Sequence, residues 1–300
     1  MLAKRKVLSK MSKITERLTG YTELVGLMAY PIRHSLSPTM HNEAFAKLGL
    51  DVAYLAFEVE NEQLEDAVQS IRALRMKGSN ISMPNKQKIL PYLDKLSPAA
   101  ELVGAVNTVV NDHGVLTGHI TDGTGFMRSL VEAGVDVIGK KMTITGAGGA
   151  ATAICMQAAL DGVKELAIFN RKDEFWTNAE RTVSIINEKT DCEATLYDVD
   201  DQETLRRQIA DSVIYVNATG VGMKPFEGES LVTDASMLRS DLVVADVVYK
   251  PAKTKLLEMA EAQGCKTING LGMMLYQGAA AFEMWTGKEM PTDHIKDILF

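Results

Sequence analysis

The chain has 300 residues, 46% of them hydrophobic and 24% charged, the balance of a globular protein long enough for two domains. Its net charge of −7 argues against a nucleic-acid binder, which would carry a basic face. Cys155, Cys192 and Cys265 are too scattered for a disulfide framework or a metal-ligand pattern. They read as small core residues in a reducing cytoplasm, and no metal is expected.

Residues 1–20 are basic and polar and lack the apolar stretch of a signal peptide. They read as a loosely ordered terminal extension, with Ile14 and Leu18 spaced for a short amphipathic helix and Met11 as an alternative start. No later run reaches the roughly 18 apolar residues of a membrane helix, so no membrane association is expected. From Glu23 onward strand and helix alternate. "ELVGLMAY" is a strand, and "SLSPTMHNEAFAKLGL" is a helix with Ser37 as its expected cap, Pro38 at its first helical position and Gly49 at its end. "VAYLAFEV" is a second strand. Asn61 is the expected cap of the next helix, where Leu64, Val68, Ile71 and Leu74 keep helical spacing. "SNISM" is a third strand. Strands separated by such helices pair in parallel with right-handed crossovers, and ligands gather at their carboxyl ends. "SLS" and "SMPNKQ" both stand at such ends.

"NTVVNDHGVLTGHITDG" holds two β-rich runs around Asp112-His113-Gly114, a hairpin signature. Folding it would make Asn107 and Asp122 neighbours. After Gly139 come a strand, the turn "GAGGAA" and a helix. Gly146, Gly148 and Ala151 form the G-x-G-x-x-A dinucleotide fingerprint: a tight turn, a close backbone approach to pyrophosphate, and close helix–strand packing. The next strand ends in Asn170, Arg171, Lys172 and Asp173. The two cations suit the NADP phosphate, and the carboxylate suits the NAD ribose. Mixed use of NAD and NADP, leaning to NAD, is the expectation. "ATLYDV", "SVIYVNAT", "LVVADVVY" and "CKTIN" are further strands, followed by an apolar and an amphipathic helix.

A dehydrogenase also needs a base for the substrate hydroxyl. Of five histidines, His41, His113 and His294 are poorly placed, and His34 beside the first strand end is the best histidine candidate. Lysine serves where its surroundings favour it. Lys86 and Asp122 could form a lysine–carboxylate pair from two strand ends.

At this point the ordered motifs "PIRHSLSPTMHNEAF", "SMPNKQ", "GAVNTVVN", "TDGTGF", "TGAGGAATA", "NRKDEF" and "GMMLYQGA" together resemble the shikimate dehydrogenase family, in its quinate/shikimate dehydrogenase branch. The resemblance runs from about Glu23 to Phe300. It implies an α/β protein: an extension at 1–20, a mixed α/β substrate domain at 21–121, a Rossmann domain at 122–270, and C-terminal helices at 271–300 returning to the substrate domain, with the active-site cleft between the domains. It implies reversible oxidation of shikimate, with quinate as a second substrate, in which Lys86 is the acid/base and Asp122 its partner. Ser35 and Ser37 would hold the substrate carboxylate. Tyr54, Asn80, Ser82, Asn107, Tyr249 and Gln277 would complete the substrate site. The dinucleotide would meet Gly146, Ala147, Gly148, Gly149, Ala150, Asn170, Arg171, Lys172, Asp173, Thr219 and Val248, with Gly270, Gly272 and Met273 near the nicotinamide. A homodimer is compatible with this reading. One departure stands out: His119 and Ile120 precede "TDG", where the family usually has an aromatic residue and an asparagine. The competing readings are a methylene-tetrahydrofolate dehydrogenase-like enzyme and a non-catalytic sensor of shikimate or quinate. The paired serines argue against the first, and the presence of both Lys86 and Asp122 argues against the second.

Overall fold

The computed structural model of the protein describes residues 18–300. The short helix expected around Ile14 and the alternative start at Met11 lie outside that range. The described chain divides into two compact units, one of residues up to Thr121 together with Gln277–Phe300, the other Asp122–Tyr276.

The first unit is built on a six-stranded mixed sheet. Its strands are β1 (Glu23–Ala29), β2 (Val52–Glu58), β3 (Gly78–Ile81), β4 (Lys95–Leu96), β5 (Thr108–Asp112) and β6 (Val115–His119), in the order β2-β1-β3-β5-β6-β4. Helices α1 (Ser37–Lys47) and α2 (Leu64–Ala73) are long enough to carry crossovers, so β1 pairs with β2 and β3 in parallel. The β5–β6 hairpin turns the other way, and β3 pairs with β5 antiparallel. Its tip is the two-residue loop His113-Gly114, both with positive φ (49° and 97°), the pairing that matches strand twist. Leu64, Val68 and Ile71 form the buried stripe of α2, whereas Leu74, expected in the same stripe, is its exposed C-cap.

Two expected caps differ from those found. Leu36, not Ser37, occupies the cap position of α1, with no side-chain cap. Ser37 instead lies near the Tyr54 phenol and lowers its pKa. Asn61 opens a 3₁₀ turn, and a capping box between Glu60 and Gln63 leads into α2.

The second unit carries a parallel sheet in the order β12-β11-β10-β7-β8-β9. Its strands are β7 (Lys141–Thr145), β8 (Glu165–Asn170), β9 (Glu193–Asp198), β10 (Ile214–Asn217), β11 (Val243–Asp246) and β12 (Lys266–Ile268). The central strands are buried almost throughout, as sheets covered on both faces require. Chain order reverses between β7 and β10, and the crevice at such a switch point is where α/β sheets take ligands. Cys155, Cys192 and Cys265 are buried and free. Among the described residues no helix is long and apolar enough to cross a membrane, and no cluster of His, Cys, Asp and Glu could hold a metal.

Candidate active site

In the first unit Ser35 and Ser37 follow the carboxyl end of β1 and Ser82 that of β3, while Tyr54 and Asn80 lie within β2 and β3. Ser35 and Ser37 are half-buried at the start of α1, and the Ser37 N–H donates to Ser35 Oγ at 3.2 Å. The first-turn amides of this helix are largely engaged: Ser35 Oγ holds the Ser37 N–H, Pro38 has none, and the Met40 N–H donates to the Leu36 carbonyl, so an anion here would meet chiefly the two serine hydroxyls. Tyr54 is fully buried. Its hydroxyl donates to Asn80 Oδ1 at 2.7 Å, and burial pushes its pKa up while the bond to Ser37 pulls the other way.

Asn80 passes the network on, donating to the Asn107 carbonyl at 3.1 Å and Thr108 Oγ1 at 3.0 Å. Asn107 is closed by the chain just after the hairpin. It donates to Thr121 Oγ1 at 3.0 Å and accepts from the Thr121 N–H at 2.8 Å. Its hydrogen-bond partner is thus the residue directly before Asp122 in the chain. The unusual His119 and Ile120 leave this backbone path intact, since the Asn107 N–H still donates to the His119 carbonyl at 2.9 Å. Partial burial lowers the His119 pKa.

Lys86 sits half-buried on a short helical turn, Asn85–Lys88. Three bonds brace the turn. The Asn85 N–H donates to the Ser82 carbonyl at 2.9 Å, Asn85 Nδ2 to the Val59 carbonyl at 2.8 Å, and the Val106 N–H to the Lys86 carbonyl at 2.8 Å. Gln277 is half-buried on α10 (Leu271–Thr286). The next residue, Gly278, lies so close to α1 that a Cβ there would meet Met40 Cε at 2.1 Å. His34 is exposed.

Two residues here escaped sequence reasoning. Asn42 clamps the backbone of Tyr54, with Oδ1 accepting from its N–H and Nδ2 donating to its carbonyl, both at 2.9 Å. His41 stacks on the Tyr54 ring, centroids 4.5 Å apart and planes 6° from parallel. It is fully buried, neither ring nitrogen has a hydrogen-bond partner, and burial pushes its pKa down to about 3. It is an aromatic backing for Tyr54 and no base. The adjacent polar pair on a mostly buried helix was the available signal.

In the second unit Asp122 opens α5 (Asp122–Glu132) and is half-buried. The glycine turn follows β7. Gly146 has φ +117°, and a Cβ there would lie 2.7 Å from the Ala218 carbonyl oxygen; only glycine suits it. Gly148 and Gly149 face open space. They lead into α6 (Gly149–Asp161), which no side chain caps. Ala147 is buried behind them, and its carbonyl accepts from Asn178 Nδ2. An uncapped 13-residue helix behind a side-chain-free cradle fits a dinucleotide pyrophosphate. Ala150 stands in its first turn.

At the end of β8, Asn170 is buried and donates to Asp173 Oδ1 at 3.1 Å. The same oxygen accepts from the Phe175 N–H at 2.9 Å. Lys172 lies 3.3 Å from Asp198 Oδ2 and 5.8 Å from the Trp176 ring centroid, and Arg171 is exposed. Thr219 and Val248 follow β10 and β11. Gly270 opens the turn into α10, and Gly272 and Met273 stand in that helix's first turn. Tyr249 is 43% exposed.

Residues 27–109 match the shikimate dehydrogenase substrate binding domain, and residues 270–300 match the shikimate 5'-dehydrogenase C-terminal domain. A shikimate dehydrogenase (NADP(+)) of Listeria monocytogenes serotype 4b is 73% identical, covering 96% of this chain and 99% of its own. The crystal structure of a shikimate 5-dehydrogenase from Listeria monocytogenes in complex with shikimate and NAD matches with a TM-score of 0.94 at 73% identity, over 96% of this chain and 100% of that one. A quinate dehydrogenase from Corynebacterium glutamicum in complex with NAD matches with a TM-score of 0.83 at 31% identity, over 92% and 98%. Fold, motif order and these relatives agree: the chain belongs to the shikimate dehydrogenase family.

Proposed function

We propose that the protein is an NAD(P)-dependent dehydrogenase that reversibly oxidises shikimate to 3-dehydroshikimate in the cytoplasm, with quinate as a second substrate. The observation that carries this reading is the 73% identity over 96% of the chain to the Listeria protein of that name. The hydrogen-bonded strand ends of the first unit support it. A carboxylate has two serine hydroxyls to meet in Ser35 and Ser37. Asn107, Gln277 and Asp122 offer polar contacts to ring hydroxyls. Tyr54 and Asn80 set the positions of Ser37 and Asn107, and Ser82 and Tyr249 belong to the same assignment through the motif match.

Lys86 is the general acid/base, assisted by Asp122: its Nζ takes the 3-hydroxyl proton as the hydride leaves the same carbon. The dinucleotide, when bound, supplies the hydride acceptor. Gly146 to Ala150 would hold its pyrophosphate, Asn170 to Asp173 its adenosine ribose, and Thr219, Val248, Gly270, Gly272 and Met273 its nicotinamide half. Both dinucleotides are used. Arg171 and Lys172 favour the NADP phosphate, in keeping with the relative named for NADP(+). Asp173 favours NAD, the cofactor bound in the Listeria crystal structure. The relatives lend no support to the expected lean toward NAD.

Quinate as second substrate has the Corynebacterium quinate dehydrogenase in its favour. The test is absorbance of the reduced nicotinamide on mixing the protein with shikimate or quinate and with NAD or NADP. Signal with shikimate is expected with both cofactors. No signal in any of the four combinations would refute the proposal.

A further inference from the structure

Asp246 ends β11 and is 1% exposed. A carboxylate buried to this degree is costly unless donors replace its water. Three donors reach it, each from a different segment. Asn217 Nδ2, its register partner on β10, and the Val248 N–H donate to Oδ1, each at 3.0 Å, and the Thr254 hydroxyl donates to Oδ2 at 2.7 Å. Burial nevertheless raises its pKa, against the pull of these bonds.

The bonds continue outward to the segments assigned to the nicotinamide. Asn217 Oδ1 accepts from the Thr219 hydroxyl at 2.7 Å, and its Nδ2 also donates to the Val221 carbonyl at 3.0 Å. Thr254 accepts from the Leu257 N–H and caps α9 (Lys255–Ala262). The Val248 carbonyl accepts from the Gly270 N–H at 3.1 Å. A Cβ on Gly270 would lie 2.0 Å from the Val247 carbonyl oxygen. The turn into Gly272 and Met273 therefore rests directly on the backbone that Asp246 holds. Packing alone would be served by an apolar residue here, as at Val244 and Ala245 on the same strand, which are fully buried. A carboxylate with three donors adds the relative placement of three loops.

We propose that Asp246 is a positioning residue for the dinucleotide: it fixes the Thr219 turn, Val248 and, through Val248, the Gly270–Met273 turn in one arrangement that receives the nicotinamide half. This rests on the dinucleotide site proposed above. It is a role in binding and orientation, not in proton transfer.

The test is fluorescence titration of NADPH and NADH into Asp246→Ala, Asp246→Asn and Thr254→Val, beside the KM for each substrate and the melting temperature. Asp246→Ala is expected to weaken dinucleotide binding about tenfold or more, with the shikimate KM changed by less than about twofold. Asp246→Asn keeps the Oδ1 acceptor, and its amide can donate to the Thr254 hydroxyl oxygen, so it should restore most of the affinity. Should Asp246→Ala not fold, Thr254→Val removes one donor of three and should still weaken dinucleotide binding about two- to fivefold. Unchanged dinucleotide affinity in the folded variants would overturn the proposal. So would equal losses for dinucleotide and shikimate that Asp246→Asn fails to rescue. Because the titration needs no turnover, a protein inactive on shikimate and quinate would still report on Asp246.

Discussion

The Tyr54 hydroxyl donates to Asn80 Oδ1 at 2.7 Å, joining strands β2 and β3 across β1, which lies between them in the sheet. It ties the Ser37 side of the first unit to the Asn107 side through buried atoms. Removing the hydroxyl in Tyr54→Phe leaves the Asn80 oxygen without its donor. The expected cost is about 1–3 kcal/mol of stability, with a raised KM for shikimate as Ser37 and Asn107 lose a shared anchor. Thermal denaturation and steady-state kinetics check both. An unchanged KM would show that the network is structural only.

His41 gives a pH prediction. Its folded pKa is pushed down to about 3 by burial, while the unfolded chain holds an ordinary imidazole near 6.5. Below that value the unfolded state binds the extra proton, so stability is full above pH 6.5 and is lost as pH falls toward 3. His41→Phe keeps the stacked ring and removes this titration. Relative to the variant, the natural protein should lose about 2 kcal/mol between pH 7 and pH 5. Denaturant unfolding of both proteins at the two pH values measures it, and parallel curves would contradict it.

Two neighbouring glycines should behave oppositely. Gly146→Ala must place a Cβ 2.7 Å from the Ala218 carbonyl oxygen at φ +117°, and should destabilise by at least about 1 kcal/mol while weakening dinucleotide binding. Gly149→Ala opens onto free space at the first position of α6 and should leave the melting temperature equal or slightly higher.

Asp173 combines a loop contact with a charge. Its Oδ1 holds Asn170 and the Phe175 N–H, so Asp173→Ala would disturb both cofactors at once. Asp173→Asn retains an acceptor oxygen and drops the charge. The ratio of kcat/KM for NADP over NAD should rise about three- to tenfold in that variant. No change in the ratio would remove Asp173 from cofactor choice.

Much of this architecture is legible along the chain because its signals are local. The apolar strands, the helix stripe at Leu64, Val68 and Ile71, the His113-Gly114 hairpin tip and the glycine turn at Gly146 each follow from residues within one short window. The supports of the site are not local. Asn42 reaches the Tyr54 backbone 12 residues on, Asn80 reaches Thr108 28 residues on, and Asn217 reaches Asp246 29 residues on. Each of these amides reads equally well as a turn or surface residue until the sheet brings its partner alongside. Ser37 shows the converse: by pattern it is a helix cap, but the helix already includes it and Leu36 takes the cap position. Asp246 did carry a one-dimensional trace, as the only charge inside "LVVADVVY". A carboxylate in a run that apolar invites the question of what satisfies it.

The most direct measurement is turnover of Lys86→Ala with shikimate, beside shikimate affinity determined separately by calorimetry. If Lys86 moves the hydroxyl proton, kcat should fall about 10²–10⁴-fold while shikimate still binds within about threefold of the natural protein. Near-full turnover with binding intact would assign the acid/base role elsewhere and contradict the account.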